Sequence, residues 1–263
     1  MFILESMFAE HQYEITAQTF PDGSLRLQLP KDDSIRSVIW HYENDAELFT
    51  LQCIRDFYPQ PLILELPYIP NARQDRVKNP EDVFTLKTFC RIINAMNFIN
   101  VIVRDAHSNV SLALLDRVIQ EPINHRINAA IRDINSTDLL AFYPDEGAMK
   151  RYSSDVGLPY AFGIKKRNWE TGKIEGLQIM NDELVRGRDI LIIDDICSYG
   201  GTFYHSAKAL KEAGAKNIYL YVTHCENNVF KGDMYNMPEI TRIYTSDERI
   251  HWEEDTLMKI IPV

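Results

Sequence analysis

The chain has 263 residues, of which 45% are hydrophobic and 25% are charged, as in globular proteins that bury one large core or two smaller ones. Its formal net charge of −10 argues against a general nucleic-acid-binding protein, since such proteins usually carry a basic excess. No apolar run is long enough to span a bilayer, and the opening MFILESMF lacks the basic segment and cleavage site of a signal peptide.

The four cysteines are widely spaced and form no C-x-x-C pair. They are Cys53, Cys90, Cys197 and Cys225. Since a chain of this length does not need disulfides to fold, we interpret all four as reduced thiols. These features predict a soluble, cytoplasmic protein that binds neither nucleic acid nor a membrane.

Strand-like and helix-like runs alternate in the first half of the chain. The apolar composition of 37–42, 61–69 and 99–105 predicts three buried strands. Between the last two strands, apolar residues recur at helical spacing in 80–98, after a proline suited to a first helical turn. We therefore predict a helix over that segment.

The second half repeats the same alternation. Strands are predicted at 139–144, 189–195 and 218–224, and a helix at 202–217 with Gly214 at its end. Strands that alternate with helices are typical of parallel sheets covered by helices. The sequence therefore predicts an α/β fold with two similar units, and the boundary is expected near 124–128.

The sequence LIIDDICSYGGT, which begins at residue 191, brings two adjacent carboxylates and a glycine-rich turn together before a predicted helix. Glycines at a helix N-terminus let backbone N–H groups approach a phosphate closely. Carboxylates at the carboxyl end of a strand can accept ribose hydroxyls or hold Mg²⁺. The pattern predicts a sugar-phosphate site, and it matches neither a P-loop nor a dinucleotide fingerprint.

This stretch resembles the ribose-phosphate loop that phosphoribosyltransferases share with ribose-phosphate pyrophosphokinases. A second stretch, PYIPNARQDR (67–76), is similar to the ATP-binding loop of the pyrophosphokinases, which are also called phosphoribosyl pyrophosphate synthetases. Other segments resemble the same family in the family's own order: FPDG (20–23), RDAH (104–107), YPDEG (143–147), IKKR (164–167) and VTH (222–224). Matches in order are far more specific than any single one.

The resemblance implies a fold of two phosphoribosyltransferase-like domains. Residues 1–125 would carry the ATP-binding loop and residues 126–245 the ribose-phosphate loop, with the tail 246–263 joined to the first domain. The implied enzyme is a ribose-phosphate diphosphokinase that transfers the β,γ-diphosphoryl group of ATP to the anomeric hydroxyl of ribose 5-phosphate and releases AMP. Its implied cofactor is Mg²⁺, and the adenine-contacting FPDG segment implies a homo-oligomer of at least two subunits.

The resemblance also assigns residues. Catalytic roles fall on Lys165, Arg167 and His107, and metal binding on His107 and Asp145. ATP would be bound by Phe20, Asp22, Arg73, Gln74, Asp75 and His107. The ribose phosphate would be bound by Asp194, Asp195, Ser198, Tyr199, Gly200, Gly201 and Thr202.

Several departures from the family pattern leave alternatives open. The chain is short at both ends, so the first domain is expected to be trimmed, and Glu146 stands where a histidine is common. Ser198 and Tyr199 replace an Asp-Thr pair, which keeps a larger 5-substituted ribose such as ADP-ribose open as the acceptor. A phosphoribosyltransferase and a non-catalytic regulatory homologue are the remaining alternatives.

Overall fold

The computed structural model describes residues 1–7, 11–167, 174–247, 250 and 258–260, with backbone alone at 165–167, 174–175 and 258–260. The chain divides into two compact units, Met1–Pro122 and Ile123–Val263. All four cysteines are free thiols. Within the described part of the chain, no helix is both long and apolar enough to cross a membrane.

The first unit contains a six-stranded sheet and a separate two-stranded hairpin. Its strands are β1 (Phe2–Ser6), β2 (Gln12–Ile15), β3 (Gln18–Thr19), β4 (Leu25–Arg26), β5 (Ile35–Trp40), β6 (Ile63–Leu66), β7 (Asn100–Arg104) and β8 (Val118–Glu121). The large sheet has the order β2-β1-β5-β6-β7-β8, in which β5 to β8 are parallel and β1 is antiparallel to both of its neighbours. The pair β3 and β4 forms the hairpin.

The core of the first unit lies where helices cover the large sheet. The helices are α1 (Glu47–Phe57), α2 (Thr85–Ala95) and α3 (Asn109–Leu114). Trp40 is fully buried and stacks on Phe2, with 5.7 Å between ring centroids, and Phe89 of α2 packs beside it. An aromatic side chain of this size contributes much of the apolar area that holds a helix on a sheet.

The second unit is built around a seven-stranded sheet in the order β11-β10-β9-β12-β13-β14-β15. Its elements are α4 (Asn124–Ile134), β9 (Leu139–Tyr143), α5 (Glu146–Val156), β10 (Tyr160–Arg167), β11 (Ile174–Met180), β12 (Asp189–Cys197), α6 (Gly201–Glu212), β13 (Ile218–Cys225), β14 (Ile240–Thr245) and β15 (Met258–Ile260), with 3₁₀ helices at Asp182–Leu184 and Asn227–Lys231. Among the described strands of this sheet, only β11 is antiparallel to its neighbour.

This strand order brings chemically important residues to one edge of the second sheet. Because β9, β12 and β13 are parallel neighbours, their carboxyl ends meet at that edge. Phe142 lies opposite Ile192, and Asp194 lies opposite Val222. The segments that follow β9, β12 and β13 are therefore close in space although they are far apart in sequence.

The predicted α/β class with two mostly parallel sheets is confirmed, whereas several element bounds were wrong. The strand β12 continues to Cys197, so the two carboxylates lie inside the strand and not at its end. The helix α2 begins at Thr85 and not at Pro80. Upstream, the Asp82 carboxylate accepts the backbone N–H groups of Lys78 and Asn79 and holds that segment in a turn.

The expected position of the C-terminal tail also differs from the structure. We expected 246–263 to join the first domain, but Met258–Ile260 pairs in parallel with Ile243–Thr245 of β14. This backbone pairing extends the edge of the second sheet. A sequence pattern gives the strand character of such a segment but not its partner, which explains the error.

Candidate functional site

The loop between β6 and α2 carries a buried carboxylate that is held by an arginine fork. Asp75 is only 6% exposed, and Arg76 binds both of its oxygens, with Nε 2.8 Å from Oδ1 and Nη2 3.3 Å from Oδ2. This charge-assisted pair lowers the pKa of Asp75 below its ordinary value, and the nearby Ser108 and His107 lower it further. Asp75 is therefore kept as a carboxylate.

The influence of His107 on Asp75 shows that two strand ends converge. Asp75 follows β6, His107 follows β7, and the two strands are parallel neighbours. Asp105, which directly follows β7 and lies two residues before His107, is 2% exposed and has a φ of 44°. A buried non-glycine residue in this left-handed region stores strain, which is common where backbone is held in place for binding or catalysis.

The remaining predicted ATP residues lie on two different structural elements. The side-chain oxygen of Gln74 accepts a hydrogen bond from the hydroxyl of Thr85, with 3.0 Å between Oγ1 and Oε1, and this bond links the loop to the start of α2. Arg73 on the same loop is exposed. Phe20 and Asp22 lie at the exposed tip of the β3–β4 hairpin, where Asp22 accepts the backbone N–H of Ser24. The hairpin is a sheet of its own, separate from the sheet that carries the Arg73 loop.

In the second unit, the adjacent carboxylates of β12 meet an arginine that the sequence analysis did not single out. Arg151 of α5 places Nη2 3.2 Å from Oδ1 of Asp195 and 4.0 Å from Oδ1 of Asp194. Burial raises the pKa of Asp194 well above its ordinary value, the charge and hydrogen bonding of Asp195 raise it further, and Arg151 opposes the shift. Two carboxylates thus share one cation.

Asp145 belongs to the same edge of the second sheet. It is the N-cap of α5, where Oδ1 accepts the backbone N–H of Ala148 at 3.1 Å. Its charge also raises the pKa of Asp194, so the two carboxylates are close enough to interact. The next residue, Glu146, points elsewhere, because it forms an exposed ion pair with Lys150, with 2.9 Å between Oε1 and Nζ.

The turn between β12 and α6 has the backbone that the sequence analysis predicted for an anion site. Gly200 has a φ of 78°, and no side chain caps the N-terminus of α6. Met234 packs against Gly200, and a methyl group built on Gly232 would overlap the backbone carbonyl oxygen of Tyr199. The segment after β13 therefore packs against the turn and fixes its position.

Ser198 and Tyr199, the two residues that depart from the family pattern, have distinct surroundings. The hydroxyl of Ser198 donates to Oε2 of Glu226 at 2.6 Å, and the backbone N–H of Glu226 donates to the carbonyl of Cys197 at 2.8 Å. The side chain of Tyr199 is 57% exposed. The turn thus carries a negative charge on one side and an accessible aromatic ring on the other.

The side chains of Lys165 and Arg167 lie outside the described residues. Their backbone forms the end of β10 and pairs with β11, with Lys165 opposite Leu177 and Arg167 opposite Ile174. The backbone up to Arg167 is a paired strand.

The oxygen donors of the second unit suit a hard cation such as Mg²⁺. Asp145 and Asp194 offer carboxylates at one edge, and Mg²⁺ in proteins commonly takes one or two carboxylates together with substrate phosphates and water. Among the described residues there is no group of three or more metal-binding side chains. The predicted metal residues His107 and Asp145 belong to different units.

Three residues of this edge were missed by sequence reasoning: Arg151, Glu226 and Gly232. Arg151 lies in the short basic run KRY, which by pattern alone indicates a solvated helix face. Glu226 and Gly232 follow a strand without any motif around them. Each acts on a segment far away in sequence, so only the strand register reveals its role.

Comparison with known proteins supports the same relationship. The family described as "Phosphoribosyl transferase domain" matches residues 146–256. A ribose-phosphate pyrophosphokinase of Saccharolobus solfataricus is 28% identical over 224 residues, which cover 80% of this chain and 76% of that protein. A ribose-phosphate pyrophosphokinase of Aquifex aeolicus is 27% identical over 247 residues, or 87% of this chain and 74% of that protein.

A solved structure has a similar fold. The phosphoribosylpyrophosphate synthetase from Mycobacterium smegmatis superposes with a TM-score of 0.74 and covers 94% of this chain and 85% of its own, at 18% sequence identity. The resemblance to ribose-phosphate pyrophosphokinases that the motifs indicated is thus confirmed over most of the chain.

The carboxylate pair generates a prediction about stability and pH. Asp194→Asn removes the repulsion, so it should raise the midpoint of thermal unfolding at pH 7 by a few degrees, or about 1 kcal/mol. Because the folded pKa of Asp194 is raised, the wild-type protein loses stability as the pH rises above about 4, where an unfolded aspartate ionises. The higher unfolding midpoint of Asp194→Asn should therefore vanish near pH 3.5 in thermal melts. A midpoint of Asp194→Asn below that of the wild type at pH 7 would contradict this account.

The neighbouring substitution should behave differently. Asp195→Asn removes the charge of one of the carboxylates that Arg151 contacts, which should cost about 1–3 kcal/mol at pH 7. Asp233→Asn changes an exposed carboxylate of the same unit and serves as the control. Both aspartate variants of the pair should bind a sugar phosphate more weakly, and unchanged binding in both would refute the sugar-phosphate interpretation.

Gly232→Ala tests the support of the turn. The added methyl group collides with the Tyr199 carbonyl, so the turn must move, and a displacement near 1 Å can lower a rate by about 10²-fold. If the turn binds a sugar phosphate, the rate of sugar-phosphate turnover should fall by about that factor while thermal stability changes by only a few degrees. Asp233→Ala, at the adjacent exposed position, should retain activity; equal activity in both variants would show that the turn tolerates movement.

Proposed function

We propose that this chain, a relative of the ribose-phosphate pyrophosphokinases over most of its length, transfers the β,γ-diphosphoryl group of ATP to the anomeric hydroxyl of ribose 5-phosphate. The products would be phosphoribosyl pyrophosphate and AMP. The proposal depends on Mg²⁺, on ATP and on the sugar phosphate as partners, as the name of its relatives and the chemistry of the donor groups suggest.

The observation that carries the proposal is that one chain holds both kinds of strand-end site. The first unit organises the ARQDR loop against the RDAH turn, with Asp75 and His107 within electrostatic reach. The second unit places a carboxylate pair beside an uncapped helix N-terminus. A phosphoribosyltransferase needs only the second of these sites.

In the first unit, the residues would bind and orient the nucleotide. Arg73 is exposed and can fork onto phosphate oxygens, while Gln74 keeps the loop attached to α2. His107 follows the strained Asp105 and would lie at the phosphates. In phosphoryl transfer the protein mainly positions the reactants and neutralises charge, so a rigid loop of this kind is what the reaction requires.

In the second unit, the residues would bind the acceptor. Backbone N–H groups of the turn from Ser198 to Thr202 would hold the 5-phosphate at the N-terminus of α6. Asp194 and Asp195 would accept the ribose hydroxyls, which orients the anomeric hydroxyl toward the diphosphoryl group.

Lys165 and Arg167 would stabilise the charge that develops on the migrating group. Asp145 in the second unit and His107 in the first unit are the residues that would each offer a ligand to Mg²⁺, and Mg²⁺ would neutralise phosphate charge.

The direct test is incubation of the purified chain with ATP, Mg²⁺ and ribose 5-phosphate, followed by chromatography of the nucleotides. The proposal expects AMP in amounts equal to the sugar converted. Formation of ADP would indicate an ordinary kinase, and base-dependent pyrophosphate release without ATP would indicate a phosphoribosyltransferase. ATP binding without turnover on any ribose acceptor would favour a regulatory homologue.

A larger 5-substituted ribose, such as ADP-ribose, is the second candidate acceptor, and one observation favours it. The Glu226 carboxylate bonded to Ser198 adds negative charge beside the turn where a dianionic phosphomonoester would bind. Each phosphate of a diphosphate linkage carries only one charge, and the exposed ring of Tyr199 could stack on a base. The same assay with ADP-ribose in place of ribose 5-phosphate distinguishes the two acceptors.

The cytoplasmic location and a homo-oligomer of at least two subunits stay predictions of the sequence. The exposed Phe20 at the hairpin tip is consistent with a contact to a neighbouring subunit. An apolar ring of this size at a turn is well suited to an interface.

Lys165→Ala tests the proposed charge stabilisation. If the lysine acts only while the diphosphoryl group moves, kcat should fall by about 10²–10³-fold and ATP affinity should stay nearly unchanged. Steady-state kinetics and ATP titration measure the two quantities. Lys208→Ala, at an exposed position of α6, is the charge-matched control and should retain both. A higher KM with unchanged kcat would make Lys165 a binding residue.

Glu226→Gln tests the choice of acceptor. Loss of the negative charge should lower the KM for the dianionic ribose 5-phosphate by about two- to fivefold and change the KM for ADP-ribose less. Glu212→Gln at the end of α6 is the control for net charge. An equal change for both acceptors would show that Glu226 does not discriminate between them.

A further inference from the structure

The last residues of two neighbouring strands in the second unit are cysteines. Cys197 ends β12 and Cys225 ends β13, and the two residues lie directly opposite each other in the parallel register. Both side chains belong to the same apolar core and are buried, at 1% and 2% exposure. Neighbouring strands lie about 4.8 Å apart, within the range of about 4.4–6.8 Å that separates the Cα atoms of a disulfide. The backbone therefore permits a covalent bond between the two sulfur atoms.

The two thiols interact with each other and with the turn that follows β12. A side-chain hydrogen bond with Cys197 raises the pKa of the Cys225 thiol, and burial raises it further. The Cys197 thiol donates to the carbonyl oxygen of Ser198, with 3.8 Å between Sγ and the oxygen. Both cysteines are free, and Cys197 directly precedes the turn from Ser198 to Thr202. A change in the bonding of this sulfur pair therefore acts on the start of the turn.

An oxidant reaches the pair through the strand ends. Burial slows the oxidation of a thiol, but the terminal residues of a strand open at a lower free energy than the core of the sheet. Tyr199 lies two residues beyond Cys197 and Asn227 two residues beyond Cys225, and both are exposed. A brief opening of these last residues thus brings the sulfur atoms to solvent while the rest of the sheet stays folded.

We propose that Cys197 and Cys225 form a reversible redox switch, in which hydrogen peroxide oxidises them to a disulfide that displaces the turn and a dithiol restores both thiols. First, the Cys197 sulfur attacks a peroxide oxygen, the O–O bond breaks, and a sulfenic acid and one water form. The Cys225 sulfur then bonds to the Cys197 sulfur, and the S–O bond of the sulfenic acid breaks to release a second water. In all, the two thiols lose two electrons and two protons, and one peroxide becomes two waters. A dithiol reverses the step by exchange and is itself oxidised to a disulfide.

The disulfide shifts the turn because an S–S bond of about 2.05 Å is shorter than the hydrogen-bonded contact that it replaces. Cys197 has to move toward β13, and its thiol no longer donates to the Ser198 carbonyl. The effect on a bound sugar phosphate rests on the proposed function, whereas the formation of the disulfide does not.

Peptide mapping tests the disulfide without any substrate. Trypsin cleaves after lysine and arginine, so it places the four cysteines in four different peptides: 37–55, 88–91, 189–208 and 217–231. After treatment of the folded protein with hydrogen peroxide, the last two peptides should appear as one linked species that is lighter than their sum by two hydrogen atoms. Dithiothreitol should separate them, and a non-reducing gel should show the mobility of a single chain.

Variants locate the link. The double variant Cys53→Ser/Cys90→Ser, which changes only the thiols of α1 and α2, should form the same linked species. Cys197→Ser should not form it, and Cys225→Ala takes its place if the serine variant does not fold. The proposal is overturned if the wild type forms no such link, if the link joins two chains, or if Cys197 is converted to a sulfinic acid instead.

Hydrogen exchange tests the effect on the turn. In the oxidised wild-type protein, the amides of 198–202 should exchange about threefold faster or more, and those of α2 should be unchanged. The affinity for ribose 5-phosphate, measured by calorimetry, should fall by about tenfold and recover with dithiothreitol. Unchanged exchange in the linked protein would overturn the switch. A protein whose turn responds to the link but which binds no ribose 5-phosphate in either state would refute the proposed function and leave the switch established.

Discussion

Two carboxylates that are adjacent in a buried strand repel each other, and the architecture of the second unit depends on how this repulsion is relieved. Asp194 and Asp195 lie inside β12, so water cannot screen them fully, and a cation has to come from another element. The helix α5 supplies it, because its N-cap Asp145 fixes the helix start at the sheet edge and brings Arg151 to the pair. Local capping and long-range electrostatics are therefore linked in one helix.

The first unit neutralises a single buried carboxylate within one loop. Asp75 is buried and takes both hydrogen bonds from the neighbouring Arg76, so its charge is balanced by the next residue in the chain. Sheets with parallel strands end their strands at one edge, where such polar loops collect. The two units thus share a layout but differ in the source of the counter-charge, since Arg76 is part of its loop and Arg151 belongs to a separate helix.

The sequence predicted the strands of the sheet cores better than the connections between them. Apolar runs such as 61–69 and 218–224 indicated strands because buried parallel strands are hydrophobic on both faces. The helix α1 was missed, since its cap residue Ala46 gives no hydrogen-bonding signal. Arg151 and Glu226 could not be found from spacing, because their partners lie on other strands and periodicity carries no information about pairing.

The strand order of the second sheet also has a consequence for the order of folding. The interior strand β9 has β10 and β12 as neighbours, and Leu139 lies opposite Asp189. The antiparallel pair β10–β11, which carries Lys165 and Arg167, needs only local contacts, whereas the pair β9–β12 must first close a long loop. During synthesis on the ribosome, we therefore expect the lysine-bearing hairpin to form before the strand that carries the two aspartates. The incomplete sheet would then expose the unpaired edge of β9, which chaperones could bind.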